Sequence, residues 1–176
     1  MGPLKLDPKT VLDEAARYSQ KLTHGSQVLR QLDDVHYGAT DKEAVYREDK
    51  LVLYRFKGEQ APRNKTPILI VYALVNRPFM TDLQADRSLV RNLLAQGEDV
   101  YLIDWGYPDA ADRYLSLDDY INGYIRRCVD VVAGRHGLKA INILGICQGG
   151  AFSICFASIY PEKVKNLITM VTPVDF

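Results

Sequence analysis

The chain has 176 residues, 47% hydrophobic and 25% charged, which is the size and make-up of one packed globular unit. Lysine plus arginine and aspartate plus glutamate both number 22, so there is no basic field to hold a nucleic acid. Three cysteines form no C-x-x-C pair and none stands at metal spacing from a histidine, which argues against a zinc site and a disulfide framework and favours a reducing, cytoplasmic setting.

The start MGPLKLDPKT lacks the apolar run of a signal peptide, and no stretch approaches the roughly 18 apolar residues of a membrane span. Asp7 as cap and Pro8 at the first helical position open a helix carrying Val11, Leu12, Ala15, Ala16, Ser19 and Leu22, which Gly25 is expected to close. Ser26 is placed to cap a second, short helix with Val28, Leu29 and Leu32. Asp33-Asp34 and Tyr37-Gly38 read as loop. Residues 1–43 thus form a helical arm, and the sheet belongs to residues 44–176.

From Ala44 the runs AVYRE and LVLYRF, joined at Asp49-Lys50, predict a hairpin, and GEQAPRNKTP predicts a loop. ILIVY at residues 68–72 is a continuous apolar strand of the kind buried on both faces of a parallel sheet. A helix is predicted at 87–96, with Leu89, Val90, Leu93 and Leu94 as its stripe and Gly97 as its stop. Strand VYLID at 100–104 runs into the turn Asp104-Trp105-Gly106. A long helix begins at Ser116, capped with Asp119 three residues on. Its apolar positions Leu117, Tyr120, Ile121, Tyr124, Ile125, Cys128, Val129 and Val132 fit a 3.6-residue period, and Gly134 or Gly137 ends it. Strand INIL at 141–144 precedes GICQGG, a helix from about Gly149 to Tyr160 that Pro161 helps to end, and a last strand LITMV. The crossovers are long enough to make the later strands parallel.

Gly145-Ile146-Cys147-Gln148-Gly149 has the form G-x-C-x-G between a predicted strand and a predicted helix, a cysteine version of the G-x-S-x-G nucleophile elbow. The sharp turn strains the nucleophile's backbone and requires neighbours without bulk, which Gly145 and Gly149 satisfy. Cys147 then stands at a helix N-terminus, where partial positive charge favours the thiolate, and the Gln148 N–H points the same way as an oxyanion donor. The second donor in such a fold comes from the loop Tyr72–Pro78, where Val75 N–H is the candidate. Cys128, on a helical apolar stripe, and Cys155, among Phe152, Phe156 and Ile159, read as core. The expected fold class is α/β, an α/β-hydrolase-type doubly wound, mostly parallel sheet, truncated after the strand that follows the nucleophile helix. A base and an orienting acid normally follow the nucleophile in chain order. Here no histidine follows Cys147: His24 lies in the arm, His36 in a loop and His136 in the turn before the nucleophile strand. Glu162 and Asp175 follow it, with no base to orient.

The segments AVYREDKLVLYRF, PILIVYALVNRPFMTDL, DVYLIDWGYPDAADR, LSLDDYINGYI, NILGICQGGAFS and NLITMVTPVDF resemble, in order, the N-terminal half of the catalytic subunit of polyhydroxyalkanoate synthases, most closely the two-subunit class III type. The resemblance implies an acyltransferase that joins (R)-3-hydroxyacyl-CoA thioesters, typically 3-hydroxybutyryl-CoA, into a polyester. It aligns Cys147 with the acylated cysteine, while the family's His and Asp have no counterpart here. It implies no cofactor and no metal, coenzyme A being part of the substrate and a product. It further implies a companion synthase subunit, self-association, and a cytoplasmic place at polyester granule surfaces. Two alternatives stay open: a cysteine hydrolase of the dienelactone-hydrolase type, and an inactive fragment that only binds synthase subunits.

Overall fold

The computed structural model describes residues 7–31, 38 and 40–175, and the chain divides into two units, residues 1–36 and 37–176. The first unit holds helix α1, Pro8–Gln31. Asp7 caps it as expected, accepting from Lys9 N (3.3 Å) and from the Thr10 hydroxyl (2.9 Å), and those bonds hold its carboxyl below the usual range. Gly25 does not end the helix, and Ser26 does not start another, its hydroxyl donating instead to Thr23 O at 2.8 Å. A helical glycine costs only about 1 kcal/mol relative to alanine, whereas stopping and restarting would add a second unfavourable nucleation. The expectations at Leu32, Asp33-Asp34 and Tyr37 fall outside the described residues.

The second unit is built on a six-stranded sheet in the order β1-β2-β6-β3-β7-β8. Strands β1 (Lys42–Glu48) and β2 (Leu51–Phe56) form the expected hairpin, turning at Asp49 with φ 51°. β2 lies antiparallel to β6 (Val100–Asp104), while β3 (Ile68–Val71), β6, β7 (Ile141–Ile146) and β8 (Val164–Met170) are mutually parallel. Alternating strand residues feed two cores. Leu69, Val71, Tyr101, Ile103, Ile141 and Ile143 pack with Ile125, Val129, Val132, Phe152 and Phe156, whereas Ile68, Ile70, Val100, Leu102, Leu144 and Ile146 face Val90. Helix α2 (Leu89–Ala95) therefore covers one face, and α3 (Arg126–His136) and α4 (Gln148–Ile159) cover the other.

A small hairpin of β4 (Asp82–Gln84) and β5 (Arg87–Ser88), preceded by a 3-10 turn at Pro78–Thr81, leads into α2 and had no clear strand signal in the sequence. It is organised by Asp82, only 2% exposed, whose carboxylate accepts from Thr40 N (2.9 Å), the Thr40 hydroxyl (2.8 Å) and the Ser88 hydroxyl (2.6 Å). Ser88 also caps α2, accepting from Arg91 N.

The capping at Ser116 is present: Asp119 accepts from its N–H (2.8 Å) and its hydroxyl (2.7 Å). The 3.6-residue period is not kept, because Asp119–Ile125 is a π-helical segment. Two core-facing rows, Ile121-Ile125-Val129-Ala133 and Tyr120-Tyr124-Cys128-Val132, the first tyrosine only partly buried, repeat every four residues. On an ideal α-helix such rows would drift by about 40° per repeat, and the wider i→i+5 turns over Asp119–Ile125 take up part of that drift before α3 begins. Leu117, expected on the stripe, is 62% exposed. Gly137, in the left-handed region at φ 63°, ends α3, and Gly134 lies within it.

Candidate active site

Cys147 links β7 to α4 with φ 55° and ψ −128°, a backbone conformation that costs about 1–3 kcal/mol and persists only where its surroundings enforce it. The enforcement is visible. Cys147 N donates to Met170 O (2.9 Å), and Gly150 N donates to Cys147 O (2.9 Å). A Cβ on Gly145 would lie 2.5 Å from the Gly150 Cα, and one on Gly149 would lie 2.6 Å from the Val71 carbonyl carbon. Gly150, which sequence reasoning did not single out, is equally constrained, since its Cβ would lie 2.8 Å from the Thr172 Cβ. The second glycine of Gly149-Gly150 was the available signal. The thiol of Cys147 is exposed at the start of the twelve-residue helix α4.

The chain leaves β3 toward β6 by way of α2 on one face and leaves β7 toward β8 by way of α4 on the other, so the gap between β3 and β7 is a topological switch point, where open α/β sheets bind ligands. Val71 pairs with Gly145 and with Ile103, so the loops after β3, β6 and β7 leave the sheet together. They are tied to one another. The Trp105 indole donates to Tyr72 O (3.0 Å), Leu74 N donates to Gln148 Oε1 (3.1 Å), and Arg77 Nη1 donates to Gly106 O (3.2 Å) while its guanidinium covers the Tyr107 ring. Trp105 packs edge-on against Tyr120, which stacks on Phe152 of α4. Burial first, and the nearby Cys147 second, push the Tyr72 phenol above its ordinary value. Val75, 89% exposed, sits in this loop, and its N–H donates to no described residue. Asp104 makes the expected turn by accepting from Gly106 N at 3.0 Å.

His24 is on exposed α1, and His36 is outside the described residues. His136 is the last residue of α3 rather than part of the following turn. Its Nε2 lies 3.0 Å from the Tyr101 hydroxyl and 3.4 Å from Asp99, just before β6, at the opposite end of the strands from Cys147. Asp99 is in turn held by Arg55 through two bonds of 2.9 and 2.8 Å. Cys128 is buried as expected, and desolvation pushes its thiol up to about 12. Cys155 is not core: it is exposed, because it lies on the outer side of α4 while Phe152 and Phe156 face inward. Among the described residues no group of three or more His, Cys, Asp and Glu side chains converges as a metal site would, and no helix is long and apolar enough to cross a membrane.

A doubly wound sheet with a strained strand-to-helix turn after a central strand is the form of the hydrolase class of α/β proteins. Residues 66–176 match the family described as alpha/beta hydrolase fold, and the chain belongs to it. Within it, the chain is 57% identical over 178 residues to the poly(3-hydroxyalkanoate) polymerase subunit PhaC of Allochromatium vinosum, covering 100% of this chain and 50% of that protein. It is 58% identical over 177 residues to the same-named subunit of Thiocystis violacea, again covering 50% of the relative, and 54% identical over 167 residues to that of Synechocystis, covering 94% of this chain and 44% of the relative. The resemblance read from the motifs is borne out, and the chain spans about half the length of the curated relatives it matches. Solved structures share the fold alone. Francisella virulence factor BioJ aligns with TM-score 0.58 at 13% identity, over 91% of this chain and 52% of that one, and a sugar hydrolase of Lactococcus lactis with TM-score 0.57 at 15% identity, over 75% and 53%.

Proposed function

We propose that this chain is part of an acyltransferase that polymerises (R)-3-hydroxyacyl-CoA into polyhydroxyalkanoate, with Cys147 carrying the acyl chain as a thioester. The observation that carries this reading is an exposed thiol on an enforced φ 55° turn, in a chain whose relatives are named poly(3-hydroxyalkanoate) polymerase subunits. The Cys147 thiolate attacks the thioester carbonyl carbon, the oxyanion collapses, and coenzyme A leaves as its thiolate. One thioester replaces another, so the acyl group stays activated for attack by a 3-hydroxyl. Backbone N–H groups of Gln148 and Val75 are the proposed oxyanion donors. Support for Val75 comes from its neighbour, since Leu74 N is already engaged by Gln148 and Val75 N–H is the next along the loop.

His136, the described histidine of the second unit, lies at the opposite end of the strands from Cys147, and the groups that take protons from thiol and hydroxyl are proposed to come from the half of the protein that this chain does not span. No cofactor or metal enters the proposed cycle. A companion subunit, self-association and location at polyester granules belong to the same proposal. The test supplies 3-hydroxybutyryl-CoA to the full-length protein and follows coenzyme A and product. Polymer formed by the wild type and absent in Cys147→Ala is expected. Equal coenzyme A release by both would refute the role of Cys147, and free 3-hydroxybutyrate as sole product would instead make the protein a hydrolase.

A further inference from the structure

Two of the three inter-loop ties at the switch point hold the loop after β3 close to the sheet, and they act on either side of Ala73. Trp105 holds the carbonyl of Tyr72, and Gln148 holds the amide of Leu74. The second tie is unusual in origin, because Gln148 is the residue that follows the nucleophile. Its backbone begins α4 beside Cys147, while its carboxamide oxygen reaches across the switch point to another loop at 3.1 Å. The carboxamide orientation is fixed by its partner, since only the oxygen can accept from an N–H. Val75, one residue beyond Leu74, has an exposed side chain and no described partner for its amide, so its direction is set through its two neighbours: Leu74, tied to Gln148, and Asn76, whose side chain reaches the Tyr72 hydroxyl at 3.4 Å and accepts from Arg77 N at 2.8 Å.

We propose that the Gln148 side chain is a positioning residue that sets the oxyanion donor of the loop after β3 against the elbow. This rests on the reading of Cys147 as an acyl acceptor but on no particular acyl donor. In acylation the thiolate sulfur bonds to the carbonyl carbon and the carbonyl π pair moves onto oxygen. The pair then returns as the bond to the leaving group breaks, and the leaving group departs with the bonding pair as its anion. Only the oxyanion stage depends on the loop. Alkylation by iodoacetamide, in which sulfur displaces iodide from carbon, has no oxyanion and does not depend on it. One residue therefore links nucleophile and electrophile geometry: its main chain is fixed by the elbow, and its side chain transmits that position to the facing loop.

The experiment compares wild type with Gln148→Met, which keeps length and removes the acceptor, and with Gln148→Ala as a second variant. Rates of Cys147 acylation by p-nitrophenyl acetate and of Cys147 alkylation by iodoacetamide are measured by mass spectrometry, at about pH 9.5 so that thiol ionisation needs no base. Hydrogen exchange of the Leu74 amide is followed in parallel. Acylation is expected to slow by about 10- to 100-fold, with alkylation unchanged and Leu74 exchange faster. Acylation and alkylation falling together would mean a merely structural role, and unchanged acylation with faster Leu74 exchange would mean the loop donor is not used; either overturns the proposal. Failure of the coenzyme A thioester assay with this pattern intact would count against the polymerase reading alone.

Discussion

Gly149 carries a hydrogen where any other residue would press a carbon into the Val71 carbonyl, and that contact is backbone on backbone, so no rotamer change can relieve it. Gly149→Ala is therefore expected to destabilise the second unit by about 2–4 kcal/mol, in the range of overpacking at an unyielding site. Gly134 is the contrasting case. It lies inside α3 with nothing within 4 Å of an added Cβ, so Gly134→Ala is expected to stabilise by about 0.5–1 kcal/mol. Urea denaturation of both variants checks the pair, and equal effects would undo the argument from close approach. Cys147 and its flanking glycines were legible in the sequence because strained turns admit few residue types. The exposure of Cys155 was not, since a run of apolar neighbours does not say which side of a helix meets the sheet.

The β4–β5 hairpin and the start of α2 hang on a single buried carboxylate. Asp82→Ala would orphan the Thr40 N–H and the hydroxyls of Thr40 and Ser88, and is expected to cost about 2–4 kcal/mol. Ser88→Ala removes one of those donors together with the α2 cap, at about 1–2 kcal/mol. Thermal or chemical unfolding orders the two, and a larger loss for Ser88→Ala would contradict the assigned hierarchy. None of this was readable from pattern, because Asp82 lies 42 residues from Thr40 and the strands it fixes are only three and two residues long. The six main strands were readable, β3, β6 and β7 as apolar runs bounded by turn residues, the β1–β2 hairpin from two β-rich runs about Asp49-Lys50, and β8 from the short apolar run LITMV. The π segment shows the limit of counting by eye: a four-residue repeat passes for 3.6 over two turns, and only the accumulated drift separates them. At Gly25 a local stop signal was outweighed by helix cooperativity.

For the molecule as a whole, acid and association are the two exposures to test. His136 has its pKa lowered from about 6.5, first by desolvation and then by Arg55 and Arg135, with Asp99 opposing. The unfolded chain therefore binds a proton that the native state refuses, and stability is lost as pH falls from about 6.5 toward the lower native value. His136→Gln, which keeps a hydrogen-bonding side chain, is expected to flatten the fall of stability over that window, as followed by urea titrations at stepped pH; an unchanged slope would mean another group carries it. At the far end of the sheet order, β8 pairs among the described residues only with β7, and its side chains Ile168 and Met170 are 45% and 42% exposed. An apolar terminal strand invites pairing between copies, so the 176-residue chain is expected to self-associate on size-exclusion chromatography and Ile168→Lys to shift it toward monomer.

The contrast between Cys147 and Cys128 has a practical corollary. One thiol is open at the elbow, while the other is fully enclosed between α3 and the sheet, where burial pushes it up to about 12. An alkylator reaches the first from the native state and the second only when the core opens. A single labelling time course, resolved by peptide, is thus a built-in double clock: the Cys147 trace times the chemistry of the site, and the Cys128 trace times the breathing of the entire sheet around it.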